Sequence, residues 1–213
     1  LLGPFVGLCI TRWWQMRIEF LERELPKAKK ERVEPPAPLA NLCEAAVAED
    51  PSHVGVREIV AKAVSDPDAV LEGLGEPSNG GVEKIHNSDR LTIINVVWAP
   101  WMTIMPHNHE MWAVIGVYTG REDNMFWRRV EDAPDGHIEA AGARDLSVGE
   151  AAPLGPDIIH SVTNPIPRLT GAIHVYGGDF FSTPRSEWDA ETLNEQPYDV
   201  EKNIRLFQEF GTA

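Results

Sequence analysis

Cysteine is scarce: two residues in 213, Cys9 and Cys43, with no metal-binding or redox spacing. That scarcity excludes a disulfide scaffold and fits a reducing compartment, where thiols stay free. Positive charge is also in short supply. Lys plus Arg is 19 against 33 Asp plus Glu, a formal net charge of −14. General nucleic-acid binding needs a basic footprint and is therefore not expected. No run of 18 apolar residues occurs, so no segment reads as a membrane span. Residues 1–10 are apolar but lack a preceding basic stretch and an evident cleavage site, so the expected location is cytoplasmic. Hydrophobic residues, by contrast, make up 43% of the chain and charged residues 24%. That balance excludes a disordered chain and is enough for one full core.

The charge is unevenly placed. Residues 1–33 hold seven Lys/Arg and four Glu, a net of +3, which leaves −17 on the other 180. Trp14, Ile18, Leu21 and Leu25 form one helical stripe over about residues 12–25. A docking helix is the expected use, because charged residues interrupt each face. A membrane-surface anchor, with Trp13 and Trp14 beside the basic run 27–32, is the alternative. The prolines of 34–38 read as a stiff linker. The expected organisation is a basic helix and linker over 1–38, then a domain over 39–213. Within that domain a helical cap (39–75) precedes a barrel (about 90–180) and a C-terminal tail.

Two amphipathic helices are predicted on either side of Pro51, one through Leu39, Leu42, Cys43, Ala46 and Val47, the other through Val56, Ile59, Val60, Ala63 and Val64. Asp66 and Pro67 read as the cap and first residue of a third, running through Leu71 and closed by Gly73 and Gly75. From residue 91 the period shortens. Segments 91–98, 112–120, 124–130, 143–148, 157–164 and 169–178 are β-rich and separated by turn residues, which predicts an antiparallel barrel or sandwich. Residues 185–198 are expected to wrap over the surface. Asp199 is expected to cap a last helix through Phe210, with Val200, Ile204 and Phe207 on one side.

The sharpest chemical feature is Pro106-His107-Asn108-His109. On a strand, His107 and His109 would share a face, and neutral imidazoles suit Fe, Zn, Cu or Ni. Further on, Pro153 and Gly155 form a turn ahead of His160 and Asn164. With both motifs in this order, residues 90–180 resemble the cupin superfamily, the double-stranded β-helix barrels. The resemblance implies a mainly β jelly-roll with N-terminal helices and a C-terminal helix, and a metal held by His107, His109 and His160. The family's usual Glu ligand would fall at 113 or 114, where this chain has Ala113 and Val114. Glu110, next to His109, is expected to project to the opposite face. Three neutral ligands leave a divalent ion its full charge, which suits an anionic partner such as a thiolate or enolate.

On the last predicted strand, Ala172, His174 and Tyr176 share a face. Here the chain is similar to the thiol dioxygenases of the cysteine dioxygenase type, with His174 and Tyr176 retained and Ala172 in place of their Ser. It also resembles a bacterial branch of predicted metal-dependent double-stranded β-helix enzymes. The resemblance implies Fe(II) as cofactor, with Zn or Ni able to occupy the site in purified protein. It implies a small-molecule thiol and dioxygen as substrates, a sulfinate product, and His174 and Tyr176 as catalytic residues. Val114 stands where some relatives carry a Cys cross-linked to the Tyr. Such barrels occur as monomers or homodimers. The alternatives are a diketone-cleaving dioxygenase, a Lewis-acid isomerase or lyase, and a non-catalytic metal- or ligand-binding barrel. A thiol bearing a carboxylate would need an Arg. Arg90 and Arg168 are nearest in sequence, and both are expected at the surface. Met105, Trp112 and Phe126 are expected in the core, His53, His86 and His137 outside the site. Glu122 and Asn124 are expected to shape the turn after Gly120, and Asn164 to brace the loop 165–167.

Overall fold

A computed structural model describes residues 37–211. The predicted helix over 12–25 and most of the linker lie outside them. Three helices come first: α1 (Ala37–Glu49), α2 (Val54–Val64) and α3 (Pro67–Leu74). The predicted apolar stripes face inward, with Leu39, Cys43, Val47, Val56, Val60 and Val64 buried. Leu42 is left outside, 44% exposed. Pro38 sits inside the first turn of α1 rather than ahead of it. A first-turn N–H has no partner within the helix, so a proline costs little there. Helix α3 opens on Pro67 as predicted and runs through Gly73 to Leu74, where Gly75 ends it at φ +83°.

The strands are β1 (Gly81–Asn87), β2 (Thr92–Trp98), β3 (Thr103–His107), β4 (Ala113–Thr119), β5 (Arg121–Arg129), β6 (Ile138–Ser147), β7 (Ala151–Leu154), β8 (Ile159–Thr163), β9 (Thr170–Tyr176), β10 (Ser186–Trp188) and β11 (Glu195–Pro197). They form two antiparallel sheets, a five-stranded one in the order β1-β2-β9-β4-β7 and a six-stranded one in the order β11-β10-β3-β8-β5-β6. This is the mainly β double-stranded β-helix expected from the sequence. Side-chain alternation divides the packing. Ile94, Val96, Ile115, Val117 and Ala172 face Ile104, Leu146 and Val162 of the other sheet, inside the barrel. Their strand neighbours Ile93, Val114, Ile173 and Val175 face α1–α3 on the outside of the five-stranded sheet. With both faces covered, β2 and β9 are buried at each position. This explains why they read as continuous apolar runs rather than alternating ones. Among the described residues no helix is long and apolar enough to cross a membrane.

Two expectations are corrected. Residues 185–198 do more than wrap over the surface, although none of 189–198 is fully buried. They form β10 and β11, β10 pairs with β3, and Trp188 and Glu187 are buried. Strands of three residues are too short to display a period. The last helix, α4 (Val200–Gly211), is capped by Asp199, whose Oδ1 accepts the Lys202 N–H at 2.8 Å. Its buried side carries Asn203 and Phe207, while Val200 and Ile204 are 37% and 47% exposed. The helix is drawn to that face by Glu187, which accepts from Lys202 Nζ at 2.8 Å and Asn203 Nδ2 at 2.9 Å.

Gly120 joins β4 to β5 at φ +79°, and a Cβ there would stand 2.8 Å from the Thr170 Cα. Thr170 Oγ1 accepts the Arg121 N–H and donates to Asn164, so it cannot retreat without breaking those bonds. Gly120→Ala is expected to lower unfolding free energy by about 3 kcal/mol, combining left-handed strain with overpacking. Urea unfolding measures it.

Candidate metal centre

β3 ends at His107, whose Cα partner across the ladder is His160 on β8. His109 lies beyond the strand, beside Glu110, which takes φ +56°. His109 follows His107 by two residues, past Asn108 and ahead of the bend at Glu110 and Met111. The Asn108 N–H donates to Ser186 O at 3.1 Å and its Oδ1 accepts the Ser186 N–H at 2.8 Å. β10 thereby holds the residue that stands between the two histidines.

The three rings are buried, and one ligand atom from each lies within 4.8 Å of the others. His109 Nε2 and His160 Nε2 are 3.2 Å apart. Two nitrogens on one ion, each at about 2.1 Å, stand about 3.0–3.4 Å from each other, so this spacing fits a shared metal. His107 Nδ1–H donates to Met105 O at 2.9 Å, and His160 Nδ1–H donates to Asn124 Oδ1 at 2.7 Å. These bonds leave each Nε2 with its lone pair free. Among the described residues the group gathers no carboxylate. Ala113 and Val114 are packed in the core, and Glu110 is exposed, accepting a bond from Asn108 Nδ2.

Burial pushes the His107 imidazole down to about 4, with Arg185 adding to the effect. Burial first, then the neighbouring rings, holds His109 and His160 well below the ordinary imidazole range. All three are neutral at neutral pH and offer lone pairs without first losing protons. The same shifts set an acid limit. Below about pH 6.5 the unfolded chain binds protons that the folded rings refuse, so stability rises with pH. The metal-free protein is expected to lose melting temperature steadily between about pH 6.5 and about pH 4, measured by calorimetry in chelator.

His174 and Tyr176, on β9, stand beside this trio. The Tyr176 ring lies 4.9 Å from that of His109, and its hydroxyl is 3.0 Å from His174 Nδ1. Burial drives the Tyr176 hydroxyl far above its usual range, so it is a neutral O–H. His174 Nε2–H donates to Glu122 Oε2 at 3.2 Å. Glu122 is fully buried and also accepts from Trp98 Nε1 at 2.9 Å and Asn124 Nδ2 at 3.1 Å. Glu122 and Asn124 thus do not shape the Gly120 turn, as expected. They alternate on β5, facing the barrel interior with Phe126, and two inward polar positions on a strand were the available signal.

A second residue was missed. Arg185 is buried, its guanidinium 4.0 Å from the Phe180 ring centre and 4.2 Å from that of Tyr198. One nitrogen donates to the Phe180 and Thr183 carbonyls, while Nε is buried without a partner. Arg185, the three histidines and Tyr176 line one cavity of about 430 Å³. Of the two arginines considered from sequence, Arg90 pairs with Glu44 at 3.0 Å and Arg168 is exposed, and neither lines the cavity. His86 lies on β1, also bound to Glu44. Trp112 packs towards the helices, Phe126 against the barrel core, and Asn164 braces the 165–167 loop by accepting the Ile166 N–H.

No family model matches the chain. Among solved structures it is similar to an RmlC-like cupin with a double-stranded β-helix fold from Methanocaldococcus jannaschii, at 12% identity and TM-score 0.40, over 50% of this chain and 86% of that one. It is similar to an oxalate oxidase in complex with glycolate, at 15% identity and TM-score 0.38, over 48% of this chain and 53% of that one. It is also similar to Bacillus subtilis oxalate decarboxylase, a protein with Mn(II) centres, at 15% identity and TM-score 0.38. That last match covers 50% of this chain and 28% of the decarboxylase. The chain thus spans about half of the oxidase and about a quarter of the decarboxylase.

Proposed function

We propose that the protein is a metal-dependent dioxygenase that oxidises a small acidic thiol to a sulfinate, with His107, His109 and His160 as metal ligands. The observation that carries this reading is the convergence of three neutral imidazoles beside a buried Arg185 whose Nε has no partner. A divalent ion on three uncharged ligands keeps its charge and favours an anionic sulfur, and a buried guanidinium favours a second negative group on the same molecule. Fe(II) bound there would supply the redox chemistry by which both atoms of dioxygen are added to a thiolate, RS⁻ + O₂ → RSO₂⁻.

Other work falls to the chain itself. Arg185 binds the acidic group and fixes the distance from it to the sulfur. Phe180 and Tyr198, with ring centres 4.0 and 4.2 Å from the guanidinium carbon, hold it in place and keep water from it. Tyr176 presents a hydroxyl next to His109, oriented by His174, to hydrogen-bond the reacting molecule. Ala172 has no hydroxyl with which to steady His174, and Glu122 takes that place from the opposite sheet.

The test is oxygen uptake by the protein loaded with Fe(II) under anaerobic conditions, across acidic thiols, neutral thiols and a β-diketone. Uptake with an acidic thiol, and a sulfinate carrying two labelled atoms from ¹⁸O₂, is the expected result. Uptake with the diketone alone would replace this reading with carbon–carbon cleavage. Tight iron binding without uptake would make the barrel a binding protein.

A further inference from the structure

Glu122 sits where two hydrogen-bonded arms meet. One runs from Tyr176 O–H to His174 Nδ1, then from His174 Nε2–H to Glu122 Oε2, over 3.0 and 3.2 Å. The other runs from Asn124 Nδ2 to Glu122 Oε1 at 3.1 Å, and from His160 Nδ1–H to Asn124 Oδ1 at 2.7 Å. Trp98 Nε1, which can only donate, adds a third bond to Oε2. Each member of both arms is buried, and Glu122 and Asn124, where the arms join, do not line the cavity.

We propose that Glu122 is a positioning residue that writes the ring tautomers of both His160 and His174, so that one carboxylate fixes the metal-facing lone pair and the direction of the Tyr176 hydroxyl together. The centre has no carboxylate among its ligands, yet it is tied to one through Asn124. The proposal rests on the three-histidine centre and not on which reaction runs there.

The logic is donor arithmetic. Both oxygens of Glu122 accept. Asn124 must therefore turn its NH₂ towards Glu122 and its oxygen towards His160. His160 then has to carry its proton on Nδ1, which leaves Nε2 as the lone pair. On the other arm Nε2–H of His174 donates to Glu122, which leaves Nδ1 to face the Tyr176 hydroxyl and accept from it. The Tyr176 oxygen then offers the cavity an acceptor.

A glutamine at 122 has one acceptor and one NH₂. With the NH₂ towards Asn124, that amide must turn over and present its own NH₂ to His160 Nδ1. The His160 proton then moves to Nε2, the atom facing the metal. With the NH₂ towards His174, it also faces the donor-only Trp98 Nε1–H, which disfavours this orientation; where it is taken, His174 gives up its Nε2 proton to Nδ1, and the Tyr176 hydrogen is turned off His174. In either case one ring inverts.

Long-range ¹H–¹⁵N spectra of the metal-free protein, with no thiol or oxygen chemistry involved, read this directly. Wild type is expected to show His160 protonated on Nδ1 and His174 on Nε2. Glu122→Gln is expected to invert one of the two. If the inverted ring is His160, Co(II) affinity falls about 10- to 100-fold, as when a ligand's outer partner is removed. Asn124→Ala leaves the carboxylate and cuts only the His160 arm. It is expected to mix the His160 tautomers and weaken Co(II) binding while His174 is unchanged, and it carries the test should Glu122→Gln fail to fold. Wild-type tautomers on both rings of Glu122→Gln, or on His160 of Asn124→Ala, would overturn the proposal. Neither result would bear on thiol oxidation, which has its own assay.

Discussion

His160→Ala is expected to abolish metal retention while the barrel stays folded. His160 supplies one of three nitrogens, and two imidazoles that remain cannot enclose an ion against water. Metal affinity should fall by more than about 100-fold, the upper range for losing only an outer partner, and iron should be lost on desalting. The fold should survive because His160 lines the 430 Å³ cavity instead of filling a sealed core. Its removal enlarges a space open to solvent and leaves Asn124 Oδ1 without a donor, a cost of about 1–2 kcal/mol. The measurement pairs metal content and an electron paramagnetic resonance signal with far-ultraviolet circular dichroism. His86→Ala is the matched control. His86 is bound to Glu44 on the α1 side, away from the cavity, so iron content should not change. Normal iron in His160→Ala, with a folded barrel, would remove His160 from the ligand set.

The sequence made the barrel strands and the three histidines legible because both signals are local. Strands β2, β4 and β9 are apolar segments bounded by turn residues, and burial on both faces leaves them few polar interruptions. The histidines stand in two short motifs, and the antiparallel pairing of β3 with β8 brings His107 opposite His160. The geometry at His109 was less legible. Its neighbour Asn108 is held by Ser186, 78 residues later, and no local pattern encodes such a bond. Glu122 and Arg185 were hidden for the same reason. Glu122 acts on His174 across the barrel. Arg185 lies in a charged segment whose composition resembles a solvated surface, and it is buried only because Phe180 and Tyr198 close over it. Each of these residues gains its role from chain that is distant in sequence.

That burial makes Arg185 the most informative position for the substrate. If the proposed function holds, a guanidinium already removed from water and lining the cavity gains a charge-assisted bond when an anion arrives, because much of its cost of desolvation has been met in folding. Arg185→Met keeps an unbranched chain of similar length between the two rings and deletes the charge. KM for an acidic thiol is expected to rise about 10- to 100-fold, the equivalent of about 1.5–3 kcal/mol for a hydrogen bond to a charged group. A neutral thiol of similar size should react with nearly unchanged KM, since its binding never used the cation. The comparison separates anion binding from damage to the site. If Arg185 serves only to brace the Phe180 and Thr183 carbonyls, Met weakens both substrates alike. Arg185→Lys refines the distinction. Lysine keeps the charge but has neither the planar stack on Phe180 and Tyr198 nor the fork that meets two carboxylate oxygens at once. It should recover only part of the discrimination between acidic and neutral thiols. Full recovery would reduce Arg185 to a point charge, and no recovery would mean that its planar geometry carries the selection.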